Sequence, residues 1–303
     1  MRHLRTVAAA ALALVVMAGC TGALGAPGER VSAAAEQGGI SEVGRVSITS
    51  NQLWLDYSQG NQYFTATRVK NDDVQTQPDS MGEGWIPQRP VGELQLDAFT
   101  SRLAAVEDSC NEGRYGGRIM PTIGGAVVQQ IGCGDWSFKS VWIDDQEVTG
   151  ITEWDEATID RVLAEVRAVH GQTSSDLVFL TPRTASVNPA YTLRFTSPQQ
   201  TSATGEPCWI TSSRHAESTP DRPILNYSSC TSSSGAFSDE DFDLEQVSGA
   251  KILAALASGA EKLGITLNDI GDFTVLLTDG ELKVQMTVAS GVSAKAPIWS
   301  EVL

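Results

Sequence analysis

The sequence predicts an α+β protein, with helices packed on largely antiparallel sheet. Three observations carry that reading. Apolar stripes of helical period recur at three places, short alternating apolar runs lie between them, and one tight turn marks a hairpin whose register can be counted. With 303 residues, 41% hydrophobic and 19% charged, the chain has the balance of a folded protein of one large or two modest domains.

The first strand signals are Val46 to Thr49, Leu53 to Tyr57 and Tyr63 to Val69. A loop rich in Pro and Gly follows from Asn71 to Pro90 and carries Trp85. Leu96, Phe99, Leu103 and Val106 then fall on one helical face. After Cys110 and a glycine-rich stretch come two more strands, Ala126 to Ile131 and Trp136 to Ile143.

A second helix is marked by Thr152 and Asp155 as a capping box, with Ile159, Val162, Leu163, Val166 and Val169 as its face and Gly171 as its stop. Extended runs at 176–181 and 190–196 follow, then others around Cys208 to Ile210 and Ile224 to Cys230. A third helix is expected from about Leu244 to Leu263, ending at Gly264. The Asp279-Gly280 turn then sets Leu277 opposite Leu282, Val275 opposite Val284 and Phe273 opposite Met286. Helix, glycine stop and two strands thus occur twice, at 155–196 and 244–289, a repeated helix–hairpin layout.

The chain carries a formal charge of −16. That balance argues against nucleic acid, which requires a basic footprint, and against docking on anionic lipid by charge. The domains expected are a leader at 1–19, a flexible tether at 20–44, and two α+β domains at 45–150 and 151–303, with a single merged domain as the alternative. As a flexible coil the tether would reach about 25–30 Å.

The leader has a positive head (Arg2, His3, Arg5) and an apolar run from Ala8 to Met17, too short to span a bilayer permanently. Its ending, Met17-Ala18-Gly19-Cys20, resembles the lipobox of bacterial lipoproteins, departing from it at Met17, where leucine is usual. The resemblance implies cleavage before Cys20 and a diacylglycerol on its thiol, so that stable anchoring takes two or more acyl chains. The alternative is an ordinary secretory signal cut near Ala26. Together with the acidic body, the leader resembles actinobacterial envelope lipoproteins such as the LppA-like group. That implies a protein on the outer face of the cytoplasmic membrane.

The remaining cysteines, Cys110, Cys133, Cys208 and Cys230, number four, an even count in an exported chain. Three connectivities are possible. Sequential pairing, Cys110–Cys133 and Cys208–Cys230, closes two loops of similar size, each contributing about 3 kcal/mol in the chain-entropy model. A metal site is the rival, though the cysteines lack CxxC and histidine spacing.

Catalytic signals are sparse. No GxSxG elbow occurs, and His215 near Ser213 and Asp221 is sequence adjacency alone. His170, before Gly171, reads as a protonated cap on a helix C-terminus. Asp239, Asp241 and Asp243 alternate like a calcium loop but lack its glycine and glutamate, and read as acids crowding the next helix start. No cofactor is implied. Of the tryptophans, Trp85 in its polar loop is the candidate partner contact, against the alternative that its loop folds back on the first sheet. The expectation is a non-enzymatic module for an envelope protein or wall polymer, with a wall-directed hydrolase as the alternative.

Overall fold

The computed structural model describes residues 25–60, 62–70, 72–78, 87–182, 190–201, 205–216, 224–227, 230, 240–288 and 298–303. Cys20, Trp85, Asp221 and Asp239 lie outside them. Helices α1 (Pro27–Gly38) and α2 (Leu96–Glu107) cover one face of an eight-stranded sheet. Its strands are β1 (Arg45–Thr49), β2 (Gln52–Gln59), β3 (Gln62–Val69), β4 (Gln75–Pro78), β5 (Tyr115–Pro121), β6 (Val127–Cys133), β7 (Phe138–Ile143) and β8 (Gln146–Glu147). Their order is β8-β7-β6-β5-β1-β2-β3-β4, antiparallel throughout.

Helix α1 corrects the flexible tether expected over 20–44. Proline opens it, Glu29 accepts from the Ala26 N–H, and Gly39 ends it in the left-handed region at φ 64°. Val31, Ala34 and Ala35 bury one face against β1 and β2, and the Gly28 N–H donates to Thr100 Oγ1 of α2 at 2.9 Å. An alanine stripe carries little hydropathy, and Arg30 interrupts it. Yet Arg30 is only 4% exposed, its guanidinium donating to Thr49 O and to the Tyr115 hydroxyl at 3.0 and 2.8 Å. The stretch left between Cys20 and the folded body is 21–26.

The glycine-rich stretch after Cys110 forms a central strand, β5. A Cβ on Gly117 would come within 2.9 Å of the Phe99 ring, and one on Gly116 within 2.4 Å of the Cys133 carbonyl. Gly117 thus admits the helix to the sheet, and Gly116 admits the backbone of the neighbouring strand.

The second sheet is seven-stranded: β9 (Asp176–Leu180), β10 (Thr192–Thr196), β11 (Thr211–His215), β12 (Leu225–Tyr227), β13 (Ile270–Thr278), β14 (Glu281–Val288) and β15 (Ile298–Val302). The order is β12-β11-β10-β9-β13-β14-β15, again antiparallel. The β13–β14 hairpin has the counted register, including Phe273 opposite Met286, and Asp279 and Gly280 both take positive φ.

Two helix starts differ from the sequence expectation. Helix α3 (Glu156–His170) is capped by Asp155, whose carboxylate accepts from the Thr158 N–H at 2.8 Å, so Thr152 is not the cap. Helix α4 (Gly249–Leu263) starts after Ser248, five residues beyond Leu244. Leu244–Gln246 is a separate 3₁₀ turn, capped by Asp243. Acidic residues before an apolar run mark a helix start in general, and here two caps in succession compete for it.

Among the described residues no strand of either large sheet crosses residue 150, but the core does. The α3 stripe Ile159, Val162, Leu163, Val166 and Val169 shares one cluster with Val128, Val141 and Ile143 of the first sheet and Leu177, Phe195 and Val275 of the second. Hydrogen bonds cross as well, from Gln130 Nε2 to Leu225 O at 2.8 Å and from Ile123 N–H to the Tyr227 hydroxyl. Segments 45–150 and 151–303 each own a sheet and share a hydrophobic core.

Candidate functional site

The disulfides are sequential. Cys110–Cys133 ties the chain after α2 to the end of β6, and Cys208–Cys230 ties the approach to β11 to the chain after β12.

One concavity lies where α3, α4 and the second sheet converge. Trp154 stands just before the α3 cap, Tyr191 just before β10, Phe273 on β13, and Leu253 and Leu256 on α4. They line a cleft of about 470 Å³ together with Ile270 and the polar residues Glu153, Thr181 and Asn268. Trp154 meets Tyr191 edge-on at 5.9 Å and Phe179 at 5.0 Å. Phe179 stacks on Phe273 at 4.6 Å across adjacent strands. The Trp154 indole N–H donates to Leu180 O at 3.3 Å, which fixes the ring.

At the mouth, Leu267 is 48% exposed. It sits on a 3₁₀ turn whose Asp269 carboxylate accepts from the Thr266 N–H and hydroxyl at 2.9 and 2.8 Å. Those two bonds hold the Asp269 carboxyl below its ordinary pKa. The leucine is therefore presented by a fixed turn. Nothing in the sequence singles out Trp154 beyond its position between polar Glu153 and a cap residue, outside the α3 stripe.

A second cleft of about 430 Å³ borders the Cys110–Cys133 bridge, lined by Glu112 and Asp135 together with Arg114 and Lys139. Charges of both signs mix there, and Arg114 already pairs with Glu112. On the first sheet Trp54 and Trp136 lie 6.0 Å apart, with the Arg118 guanidinium 4.7 Å from the Trp136 ring.

Ser213 and His215 do meet. They are alternate residues of β11, and Ser213 Oγ lies 3.0 Å from His215 Nε2, while Thr192 Oγ1 on β10 lies 3.2 Å from Nδ1. Neither Ser213 nor His215 lines either cleft.

His170 overturns its expected role as a charged cap. It is 4% exposed, its ring 4.5 Å from Phe195, and its Nε2 lies 2.9 Å from Ser212 Oγ. Burial pushes its pKa down to about 3, so the imidazole is neutral at physiological pH. Among the described residues Nδ1 has no hydrogen-bond partner, whereas Nε2 meets the Ser212 hydroxyl. Of the acidic run, Asp241 accepts from Ser175 Oγ at 2.6 Å and Asp243 caps its turn. Among the described residues no three His, Cys, Asp or Glu side chains converge.

No protein-family model matches the chain, and no curated protein matches it. Solved structures give faint likenesses. The DNA polymerase III β chain of Streptococcus pneumoniae aligns at 10% identity and TM-score 0.15 over 86% of this chain and 56% of its own. The Helicobacter pylori β clamp, bound to a DNA ligase peptide, aligns at 10% identity and TM-score 0.14 over 86% of this chain and 58% of its own. This chain thus spans less than two thirds of those proteins, and at such scores its function is argued from its own residues.

Proposed function

We propose that the protein is a non-enzymatic binding module of the cell envelope, held at the outer face of the membrane by lipid on Cys20, with an envelope protein or wall polymer as its partner. The observation that carries the binding role is the Trp154 cleft, a concavity that combines aromatic and aliphatic side chains with polar Glu153, Thr181 and Asn268. Two disulfides support an exported setting. The lipobox resemblance at Met17 to Cys20 supports the anchor, and no helix among the described residues is long and apolar enough to cross a membrane. With helix α1 starting at Pro27, the anchored body would stand within about 25 Å of the lipid, the reach of seven extended residues. Trp85 remains the proposed second contact.

The helix–hairpin layout at 155–196 and 244–289 is part of the same reading, as a duplicated unit. In its support, α3 leads into β9 and β10, α4 into β13 and β14, and β9 pairs with β13 at the middle of the sheet.

Replacing Cys20 with Ala tests the anchor: the variant is expected to leave the detergent phase and wash off with salt. If it partitions as the parent does, the lipid reading is wrong. Pull-down of the anchored protein from its own envelope, with and without Trp85→Ala, tests the partner. The hydrolase alternative rests on the Ser213–His215 contact. Labelling of Ser213 by a fluorophosphonate, abolished in His215→Gln, would favour it.

A further inference from the structure

We infer that the Trp154 cleft takes one small amphiphile without negative charge, a molecule with an aliphatic or aromatic body and a neutral or cationic head. The inference rests on the binding-module reading and is independent of the Cys20 anchor.

Size comes first. About 470 Å³ lies within the range of small-molecule sites and holds one compact ligand. The walls set the body of that ligand. Leu253 and Leu256 of α4 and Ile270 of β13 line the cleft together with Trp154, Tyr191 and Phe273. An apolar group entering there leaves water and meets the carbon of those side chains.

Charge sets the head. Glu153 is the one acidic residue of the lining, and no Lys, Arg or His is among the described lining residues. Among the described lining residues a carboxylate, sulfonate or phosphate would meet Glu153 and no compensating cation, whereas an amine or hydroxyl finds Glu153, Thr181 and Asn268 as partners.

Leu267 adds an independent observation. It is one of three large hydrophobic side chains exposed among the described residues, and its turn is pinned by Asp269. A leucine held half in water at the rim of an apolar cleft gains burial when a ligand closes over it. The floor is already ordered through the Phe179–Phe273 stack and the Trp154–Leu180 hydrogen bond, so little ordering entropy opposes binding.

The test uses the unlipidated Cys20→Ala protein, which avoids detergent micelles, and two probes of similar ring system. N-phenyl-1-naphthylamine is uncharged, and 1-anilinonaphthalene-8-sulfonate carries one negative charge. The neutral probe should saturate at one site per chain and bind at least tenfold tighter than the sulfonate. Glu153→Gln should narrow that ratio severalfold. Leu267→Asp, at the exposed rim, should weaken the neutral probe about fivefold to tenfold with the urea midpoint unchanged, and Leu253→Asn should weaken it as well. Absence of saturable binding overturns the inference, as does binding that Leu267→Asp and Leu253→Asn both leave intact or a preference for the sulfonate. If the probes fail while the anchored protein still captures an envelope partner, the ligand class is wrong and the binding module stands. If both fail, the binding reading falls with it.

Discussion

Arg214 Nε donates to Glu165 Oε2 at 2.6 Å, joining β11 of the second sheet to α3, the helix whose core reaches the first. Arg214 is 1% exposed and also donates to the carbonyls of His215 and Thr149, the latter at the junction between the two sheets. Burial lowers the guanidinium pKa, and the Glu165 carboxylate opposes that shift.

Removing one partner of this pair strands the other. Glu165→Ala is expected to cost about 3–5 kcal/mol in urea unfolding, because a buried cation loses its counter-charge. The double replacement Glu165→Leu with Arg214→Met should recover a large part of that loss. A single Glu165→Ala midpoint equal to the parent would show that water reaches Arg214 in solution.

His170 makes stability fall with acid. Its folded pKa of about 3 lies below the ordinary value of 6.5, so the unfolded chain binds the proton first. The contribution is full above pH 6.5 and is lost as pH falls toward 3. Each unit of pH below 6.5 is expected to remove up to about 1.4 kcal/mol. Urea midpoints at pH 7, 6 and 5 should fall steeply for the parent and less for His170→Gln. Equal slopes in the two proteins would place the proton uptake elsewhere.

Each disulfide should stabilise the fold by about 3 kcal/mol through loop closure. Non-reducing peptide mapping is expected to recover Cys110 linked to Cys133 and Cys208 linked to Cys230. The paired replacement Cys110→Ser with Cys133→Ser should lower the urea midpoint accordingly. A peptide joining Cys133 to Cys208 would contradict the fold.

Gly124 closes the seam between the first sheet and α3. A Cβ there would fall 2.4 Å from Ala168 O and 2.7 Å from Gly171 N, both backbone atoms that cannot swing aside. Gly124→Ala is expected to destabilise by about 1–3 kcal/mol, the range of overpacked sites. The same change at Gly264, where no atom lies within 4 Å of the added Cβ but φ is +66°, should cost only the left-handed conformation, on the order of 1 kcal/mol. Similar losses at both glycines would mean that the seam opens readily.

Several features were legible without coordinates because their causes are local. The Asp279-Gly280 hairpin follows from turn stereochemistry and period-two alternation, both written within sixteen residues. The stripes of α2 and α3 follow from helical period, and Cys208–Cys230 from two loops of similar length. What the chain alone left undecided depends on groups distant in sequence. Helix α1 exists because alanines too small to signal hydropathy meet β1 and β2, and β5 because Gly117 admits Phe99 from α2 while Gly116 admits the Cys133 carbonyl of the next strand. His170 lost its expected charge through Phe195 and Ser212, at least 25 residues away, which remove it from water. The candidate site is of the same kind: Trp154, Tyr191, Leu253 and Phe273 share no motif or spacing, and only the packing of α3, α4 and the second sheet brings them to one cleft. Sequence period records which face of an element is buried, whereas the partner that buries it is chosen by tertiary packing.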